Sequence, residues 1–405
     1  MIRAFEYRLF PTDIQRETLL QNAGNARFIY NHFLAELRDT GEFLNSYALS
    51  KKLTQLKKEN GFEFLKLSES SSLQHVAGNL GNAITRFFNK VSKFPVFKKK
   101  QVRDSFTISN LNNNCKIWNP ASEGCKGKHQ IKLAKLGWFR YKSHRPIPEN
   151  SNIKRITLRL KSDGHWYCSI VTDTGIIPEV VNPKSSVGVD LGLKDFLTLS
   201  SGEKISSPKH YHLAQSRLKY LQRSMSRKAK GSNNWNKARR KVAKLHFKIA
   251  AQRKDFLNKL SFAIATKYDL VTLETLNVAG LSRNRRLSKS IMTSGWSTFK
   301  NMLEYKLADQ GKWWCYASPF FASSKIHASS GYKNTELTLA IRYWQCPETG
   351  IQVDRDINAA INLDQLGQHW YLTDHLLDSN AYQNAIKSKT LLSLNLPKPE
   401  SERAA

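Results

Sequence analysis

One short run limits what this chain can become. Val187-Gly188-Val189-Asp190-Leu191-Gly192-Leu193 is apolar throughout except for a carboxylate at its centre. Such a run reads as a buried strand, and a buried carboxylate is costly unless it meets a partner or a metal ion. Gly188 and Gly192 flank Asp190 and let backbone approach it closely. The plainer alternative is an aspartate that closes a strand and accepts N–H bonds from the following turn.

Two more carboxylates invite the same question. Glu274 ends the apolar run Leu270-Val271-Thr272-Leu273, where a strand running out into solvent would also explain it. Asp356 lies in Val353-Asp354-Arg355-Asp356-Ile357-Asn358-Ala359-Ala360 at an expected helix start. Capping, by it or by Asp354, is the simple explanation there. Together the three say more. Two strand ends and one helix start, distant in sequence, suit a site assembled from separate elements. Converging carboxylates repel one another, and divalent cations relieve that repulsion. Two Mg²⁺ ions about 3.5–4 Å apart activate a water and stabilise the leaving oxygen of a phosphodiester. This is the chemistry of nucleases built on an RNase H-like sheet, and the strand–hairpin–helix–strand order from 187 onward is compatible with one.

Charge points to the same substrate class. The 405 residues hold 64 Lys+Arg against 32 Asp+Glu, a net +32. A surface of that charge calls for a polyanion, and nucleic acid is the leading one. With 40% hydrophobic and 11% aromatic residues the chain can still build real cores, so disorder is a poor reading. No run approaches about 18 apolar residues. Met1-Ile2-Arg3-Ala4-Phe5-Glu6 also lacks the apolar core of a secretion signal, so no membrane role is expected. Residues 215–259 carry fifteen Lys/Arg, including Arg227, Lys228, Arg239, Arg240, Lys241 and Lys244, against one acid, Asp255. Val242, Leu245, Ile249, Phe256 and Leu260 mark the apolar face of this helical stretch. A mixed-charge face would read as merely solvated, but one almost without acids gains little from intrahelical pairs and is better suited to phosphates. Arg283, Arg285 and Arg286 follow soon after Glu274 and would stabilise a phosphate near it.

The five cysteines, Cys115, Cys125, Cys168, Cys315 and Cys346, are odd in number and include no C-x-x-C pair. They exclude a disulfide framework and point to a reducing cytoplasm. Between 319 and 352 the available zinc ligands are His327 and Cys346, and two ligands do not make a structural zinc site. An ordinary loop histidine and a small buried thiol are the simpler reading.

Hydrophobic periodicity divides the chain. Residues 1–10 read as a strand stopped by Pro11, with Thr12 where a helix N-cap belongs. Helices are expected at 13–22, 24–39 and 71–91, so residues 11–103 form a helical insert. From about 104 the period becomes two, with strands at 105–109, 115–118, 130–142, 153–160 and 165–171 that suggest a small barrel. The strand at 1–10 would join it, placing 1–10 and 104–180 in one domain. Residues 174–186 read as a linker and 181–368 as the carboxylate-bearing domain. That domain has a basic helical pair at 215–259 broken at Gly231-Ser232-Asn233-Asn234, a strand at 270–273, a helix at 296–310, a strand at 312–318, an irregular stretch at 319–352 and a helix near Asp356. Periodicity fades after 368, so 369–405 reads as a tail.

The sequence resembles the TnpB family, transposon-encoded nucleases guided by RNA and related to compact type V CRISPR effectors. The resemblance runs to about residue 368. It is carried by Tyr7-Arg8-Leu9-Phe10-Pro11, Ala26-Arg27-Phe28-Ile29-Tyr30-Asn31, Phe94-Pro95-Val96-Phe97-Lys98-Lys99 and Lys135-Leu136-Gly137-Trp138. More specific are Gly188 to Phe196, Glu274-Thr275-Leu276-Asn277, Arg283-Asn284-Arg285-Arg286 and Asp354 to Ala360. It implies an α/β multidomain protein with a RuvC-type, RNase H-like nuclease domain and an N-terminal wedge β-barrel interrupted by a helical recognition insert. It also implies Asp190, Glu274 and Asp356 as catalytic and Mg²⁺-binding residues, with Asp356 chosen over Asp354 from the family's D-x-N-A-A pattern. The partners implied are a guide RNA from the transposon end and double-stranded target DNA in a prokaryotic cytoplasm, with no small-molecule cofactor. Family members usually carry a zinc ribbon with two C-x-x-C pairs before the third carboxylate. Here those stretches read His327-Ala328-Ser329-Ser330 and Cys346-Pro347-Glu348-Thr349, so a fully ligated Zn²⁺ is not expected. The activity implied is RNA-guided DNA cleavage. The rivals are a nuclease-inactive, RNA-guided repressor and a strand-joining transposase.

Overall fold

The computed structural model describes residues 1–100, 104–109, 111, 115–118, 129–148, 151–338 and 340–372. The expectations for Cys125 and for the tail beyond 372 lie outside the described residues. The chain divides into two compact units, Met1–Ile177 with Met225–Phe247, and Pro178–Ser224 with Lys248–Ala405. The division cuts through the basic helical pair, which its sequence pattern assigns to a single domain.

In the first unit, strand β1 (Ile2–Phe10) is followed by helices α1 (Asp13–Thr40), α2 (Ser46–Leu56) and α3 (Ser70–Phe88). Six strands come next: β2 (Ser105–Ile108), β3 (Lys116–Trp118), β4 (Gln130–Leu133), β5 (Gly137–Lys142), β6 (Asn152–Leu160) and β7 (Trp166–Asp173). They form one sheet in the order β2-β6-β7-β1-β5-β4-β3. β1 pairs antiparallel with both β7 and β5, Phe5 opposite Ile170 and Leu9 opposite Tyr141. The three helices are therefore inserted in the chain between β1 and β2, two strands of one sheet. Among the described residues β2 and β3 remain as edges, so the expected barrel is seen here as a sheet rather than a closed ring.

α1 differs from expectation in being one helix instead of two. Its buried positions Leu19, Ala23, Ala26, Ile29, Phe33, Leu34 and Leu37 keep helical spacing straight past Gly24. Their burial outweighs the roughly 1 kcal/mol that a helical glycine costs relative to alanine. The helix begins in a capping box, Thr12 with Gln15, and stops at Gly41 in the left-handed region, φ 68°. α2 is an element the periodicity does not predict. Its Leu49, Leu53 and Leu56 join a core shared by the helices and the sheet.

The second unit is built on strands β8 (Ser186–Leu191), β9 (Asp195–Leu199) and β10 (Lys204–Ser206), followed by helices α4 (His210–Ser226) and α5 (Asn233–Lys267) and strand β11 (Leu270–Leu273). After these come α6 (Val278–Leu281), α7 (Ser288–Ser294), α8 (Trp296–Asp309) and β12 (Trp313–Tyr316). The unit ends with β13 (Tyr343–Gln345), β14 (Gln352–Asp354) and α9 (Arg355–Trp370). The main sheet runs β10-β9-β8-β11-β12, with β8, β11 and β12 parallel and β8, β9 and β10 antiparallel. Side chains alternate between its faces. Val187, Val189, Val271 and Leu273 pack with Leu257 and Ile264 of α5 and Phe299 and Leu303 of α8. On the other face Leu270 and Cys315 pack with Trp370 of α9. That helix runs through Trp370, which is 2% exposed and edge-on to Trp313, so the tail begins later than residue 369. Residues 319–352, expected to be irregular, contain the antiparallel pair β13–β14 over a small core of Leu337, Trp344 and Cys346.

Gly188 explains how close α9 comes to β8. A Cβ there would stand 1.9 Å from the Ala360 carbonyl oxygen and 2.5 Å from the Asp364 nitrogen, both of them backbone. Neither can yield without moving the helix. Gly188→Ala is expected to destabilise this unit by about 3 kcal/mol or more, read as a lower midpoint in urea. An unchanged midpoint would mean α9 does not seat on β8 in this way.

Candidate active site

The same alternation decides where the carboxylates go. Asp190 is two residues beyond Gly188, and so on the face that α9 covers. Val189 pairs with Leu273 of the parallel neighbour β11, so Glu274 leaves its strand beside Asp190. Asp356 is in the first turn of α9, one helical turn before the Ala360 that lies over Gly188. Two adjacent strand ends and one helix start thus deliver the three residues to one edge of one face.

Their electrostatics reflect that proximity. Burial pushes the Asp190 carboxyl well above the usual carboxylate range, and the negative charges of Glu274 and Asp356 push it further, with Arg355 and Arg342 partly opposing. Burial also raises Glu274, partly offset by the Leu191 N–H, which donates to Glu274 Oε1 at 3.2 Å, and by the Lys300 charge. Asp356 is drawn to two guanidiniums, Arg342 Nη1 at 3.1 Å from Oδ2 and Arg355 Nη2 at 3.1 Å from Oδ1. Among the described residues no three His, Cys, Asp or Glu side chains close into a shell that could hold a metal ion. The three carboxylates are neighbours, with Glu274 turned to the Leu191 N–H and Asp356 to the two guanidiniums.

Asp354 has another task. Its Oδ1 accepts the N–H groups of Asp356 and Ile357 at 3.0 and 3.1 Å, capping α9, and its Oδ2 meets Lys204 Nζ at 2.6 Å. Burial pushes its carboxyl up, but Lys204 and the capped N–H groups outweigh this and hold it below its ordinary value. The rest of the motif is structural too. Asn358 is buried; its amide donates to the Ile326 carbonyl at 2.6 Å and accepts from the Ala328 N–H at 2.9 Å. Asn362 donates to the Ser323 and Ile326 carbonyls, so α9 grips the 323–328 loop along one side.

That loop brings His327 to the neighbourhood of Cys346. Both are buried, and Ser330 Oγ bridges them, 3.1 Å from His327 Nδ1 and 3.5 Å from Cys346 Sγ. Trp344 packs edge-on to the imidazole.

The basic residues are spread more widely. Arg240, Lys241 and Lys244 of α5 and Arg227 and Lys228 before it belong to the first unit, and all five are exposed. Arg239 is half-buried, its guanidinium 5.2 Å from the Trp235 ring. Arg283, Arg285 and Arg286 are exposed in the second unit, between α6 and α7. Sequence reasoning missed Arg342, Arg355, Lys204 and Lys300. Lys300 Nζ donates to the Glu274 carbonyl at 3.3 Å and lies 4.0 Å from the Tyr316 ring, whose hydroxyl bonds Glu304. Only the i, i+4 spacing of Lys300 and Glu304 is visible without the fold. Arg342 carries no local signal, because β13–β14 must fold before it reaches Asp356.

Comparison with known proteins bears on this arrangement. Residues 167–285 match the OrfB_IS605 family, described as "Probable transposase", and 296–363 match a Cas12f1-like TNB domain. Residues 1–42 match a helix-turn-helix domain named for OrfB_IS605. Here that span is β1 followed by a single uninterrupted helix. A Streptomyces pristinaespiralis protein, provisionally named an RNA-guided DNA endonuclease, is 35% identical over 370 residues, 89% of this chain and 88% of its own. InsQ of Escherichia coli K12, named in the same provisional way, is 31% identical over 381 residues, 89% and 91% of the two chains. In fold the chain is similar to Cas12f1 from its complex with sgRNA and target DNA, at TM-score 0.53 and 13% identity over 90% of this chain and 98% of that one. It is also similar to the CRISPR-Cas phi3 mini-RNA-guided endonuclease, at TM-score 0.51 and 7% identity over 91% and 92%.

Proposed function

This chain belongs to the TnpB family, related to Cas12f, and from that we propose that it is an RNA-guided DNA endonuclease of RuvC type with Asp190, Glu274 and Asp356 at its centre. One observation carries the assignment of residues: three carboxylates distant in sequence reach one edge of the sheet face under α9, and two of them, both half-buried, titrate high. The strand order, in which β9 alone runs against the other four members, supports an RNase H-like reading of the sheet.

The donor set suits Mg²⁺. Carboxylate oxygens are hard ligands, and the raised Asp190 and Glu274 mark buried negative charge that a divalent cation would balance. Asp190, Glu274 and Asp356 would hold the ions, which when bound supply an activated water and neutralise charge developing on the phosphodiester. The protein's own part is positional. Leu191 N–H and Lys300 fix the end of β11 at Glu274, Asp354 holds the start of α9, and Arg342 and Arg355 orient Asp356. The 327–349 region does not fit zinc. A structural site needs four nitrogen or sulfur ligands, and serine and threonine stand at Ser330 and Thr349. A guide RNA and duplex DNA are the partners this reading requires. The exposed cations of α5 and of 283–286 supply phosphate contacts for them.

The buried charge has a measurable sign. Both carboxyls titrate higher folded than unfolded, so the folded state binds more protons and stability falls as pH rises from the ordinary carboxylate range toward neutrality and beyond. Asp190→Asn removes one of the two charges. In EDTA its melting temperature should exceed the parent's at pH 8 by several degrees, at about 2–4 °C per kcal/mol, and by less at pH 5. A gap that does not change with pH would mean that Asp190 titrates no higher folded than unfolded. The experiment that tests the function is plasmid cleavage by the protein co-expressed with its flanking RNA. The target sits beside a randomised flank, with and without Mg²⁺. Guide- and Mg²⁺-dependent breaks are expected. Guide-dependent binding without breaks would favour a repressor, and strand-joined products a transposase.

A further inference from the structure

A cavity of about 160 Å³ opens in the second unit where the β8–β9 turn, the start of α4, the middle of α5 and α7 meet. Gly192 and Leu193 line it, so it begins within about 7 Å of chain from Asp190. Its aromatic lining is Phe196, Phe256 and Tyr211, and its cations are Lys209 and Arg253. No acidic residue lines it. The remaining polar lining is hydroxyl and imidazole, His212 and Ser290 among them. Lys209 holds φ 49°, a left-handed conformation that is uncommon outside glycine and concentrates at ligand clamps.

Size narrows the occupant. A cavity of about 150 Å³ accommodates a single benzene ring, whereas drug-sized ligands need about 300 Å³ or more. Aromatic walls favour a flat ring, imidazoles and hydroxyls can bond its polar edge, and cations without carboxylates favour an attached anion. We propose that this pocket receives one single-ring base of a nucleic-acid strand, with the adjoining phosphate on Lys209 and Arg253. The inference rests on the nuclease reading for its purpose, which is to hold an unstacked pyrimidine beside the carboxylate site. Base binding itself can be measured without cleavage.

The test uses the full-length chain in EDTA, at salt high enough to suppress purely electrostatic binding. The probes are single-stranded dT oligonucleotides with one central 4-thiothymidine, thymidine, adenosine or abasic position. Irradiation should crosslink the 4-thiothymidine to peptides containing 207–212, 249–256 or 290–294. Thymidine should bind about five- to a hundredfold more tightly than the abasic probe, the range that stacking of one base provides, and adenosine should not match it. Ser290→Trp, which fills the cavity, should remove both the crosslink and the preference while Glu336→Gln, exposed and outside the lining, retains them, each with an unchanged melting temperature. Equal binding of thymidine and abasic probes, or crosslinks confined to other peptides, would overturn the proposal. Because no cleavage is scored, loss of the preference in Ser290→Trp stands even if Asp190→Ala shows the nuclease reading to be wrong. Conversely, guide-dependent cleavage without any base preference sinks the pocket alone.

Discussion

Asp190→Ala is expected to lower guide-dependent cleavage by at least about a thousandfold, as loss of a group central to metal-assisted hydrolysis does, while RNA-dependent DNA binding stays within a few-fold of the parent. The reason lies in its surroundings. Asp190 is the residue on which burial and the charges of Glu274 and Asp356 all bear, whereas Asp354, two residues before Asp356, is committed to the α9 cap and to Lys204. Asp354→Asn keeps an acceptor for the cap and should therefore retain measurable cleavage. Gel-shift and plasmid-nicking assays on the two variants separate the assignments. Full cleavage by Asp190→Ala would show that the chemistry is elsewhere, and a deficit in Asp354→Asn equal to that in Asp190→Ala would exchange the third carboxylate.

Removing charge from α5 should produce the other large change. Arg240 and Lys241 are exposed, and each phosphate left without its cation lowers the slope of log affinity against log salt by about 0.9. Arg240→Ala with Lys241→Ala should thus flatten the slope by about 1.8 and weaken binding at least about tenfold at moderate salt. Adding Arg239→Ala should take the slope toward about 2.7 below the parent. Because Arg239 stacks on Trp235, that third change should also lower the melting temperature. A slope equal to the parent's in the double variant would leave those side chains facing solvent alone.

Much of the fold is legible because each element carries its own period. β1, β8, β11 and β12 announce themselves as short apolar or alternating runs, and Thr12 as a cap. What misleads is local. Ala23-Gly24 looks like a helix break, yet the buried positions on both sides are in phase, and a packed face outvotes one glycine. The β13–β14 pair is unreadable because three-residue strands are too short to show a period. Their sheet is held by Trp344, by Cys346 and by the grip of Asn358 on the 326–328 loop.

The candidacy of the three carboxylates and the basic character of the 215–259 stretch are properties of the sequence alone, because acids within or just after apolar runs, the D-x-N-A-A pattern at Asp356 and fifteen cations against one acid are visible without a fold. Three things belong to tertiary structure. The parallel register of Val189 with Leu273 stands Glu274 beside Asp190. The absence of a side chain at Gly188 lets α9 descend until Asp356 reaches the same edge. The folding of residues 319–354 carries Arg342 to that aspartate. Each depends on contacts between residues far apart along the chain. A linear pattern records which groups are present, and only packing sets the distances over which charges act.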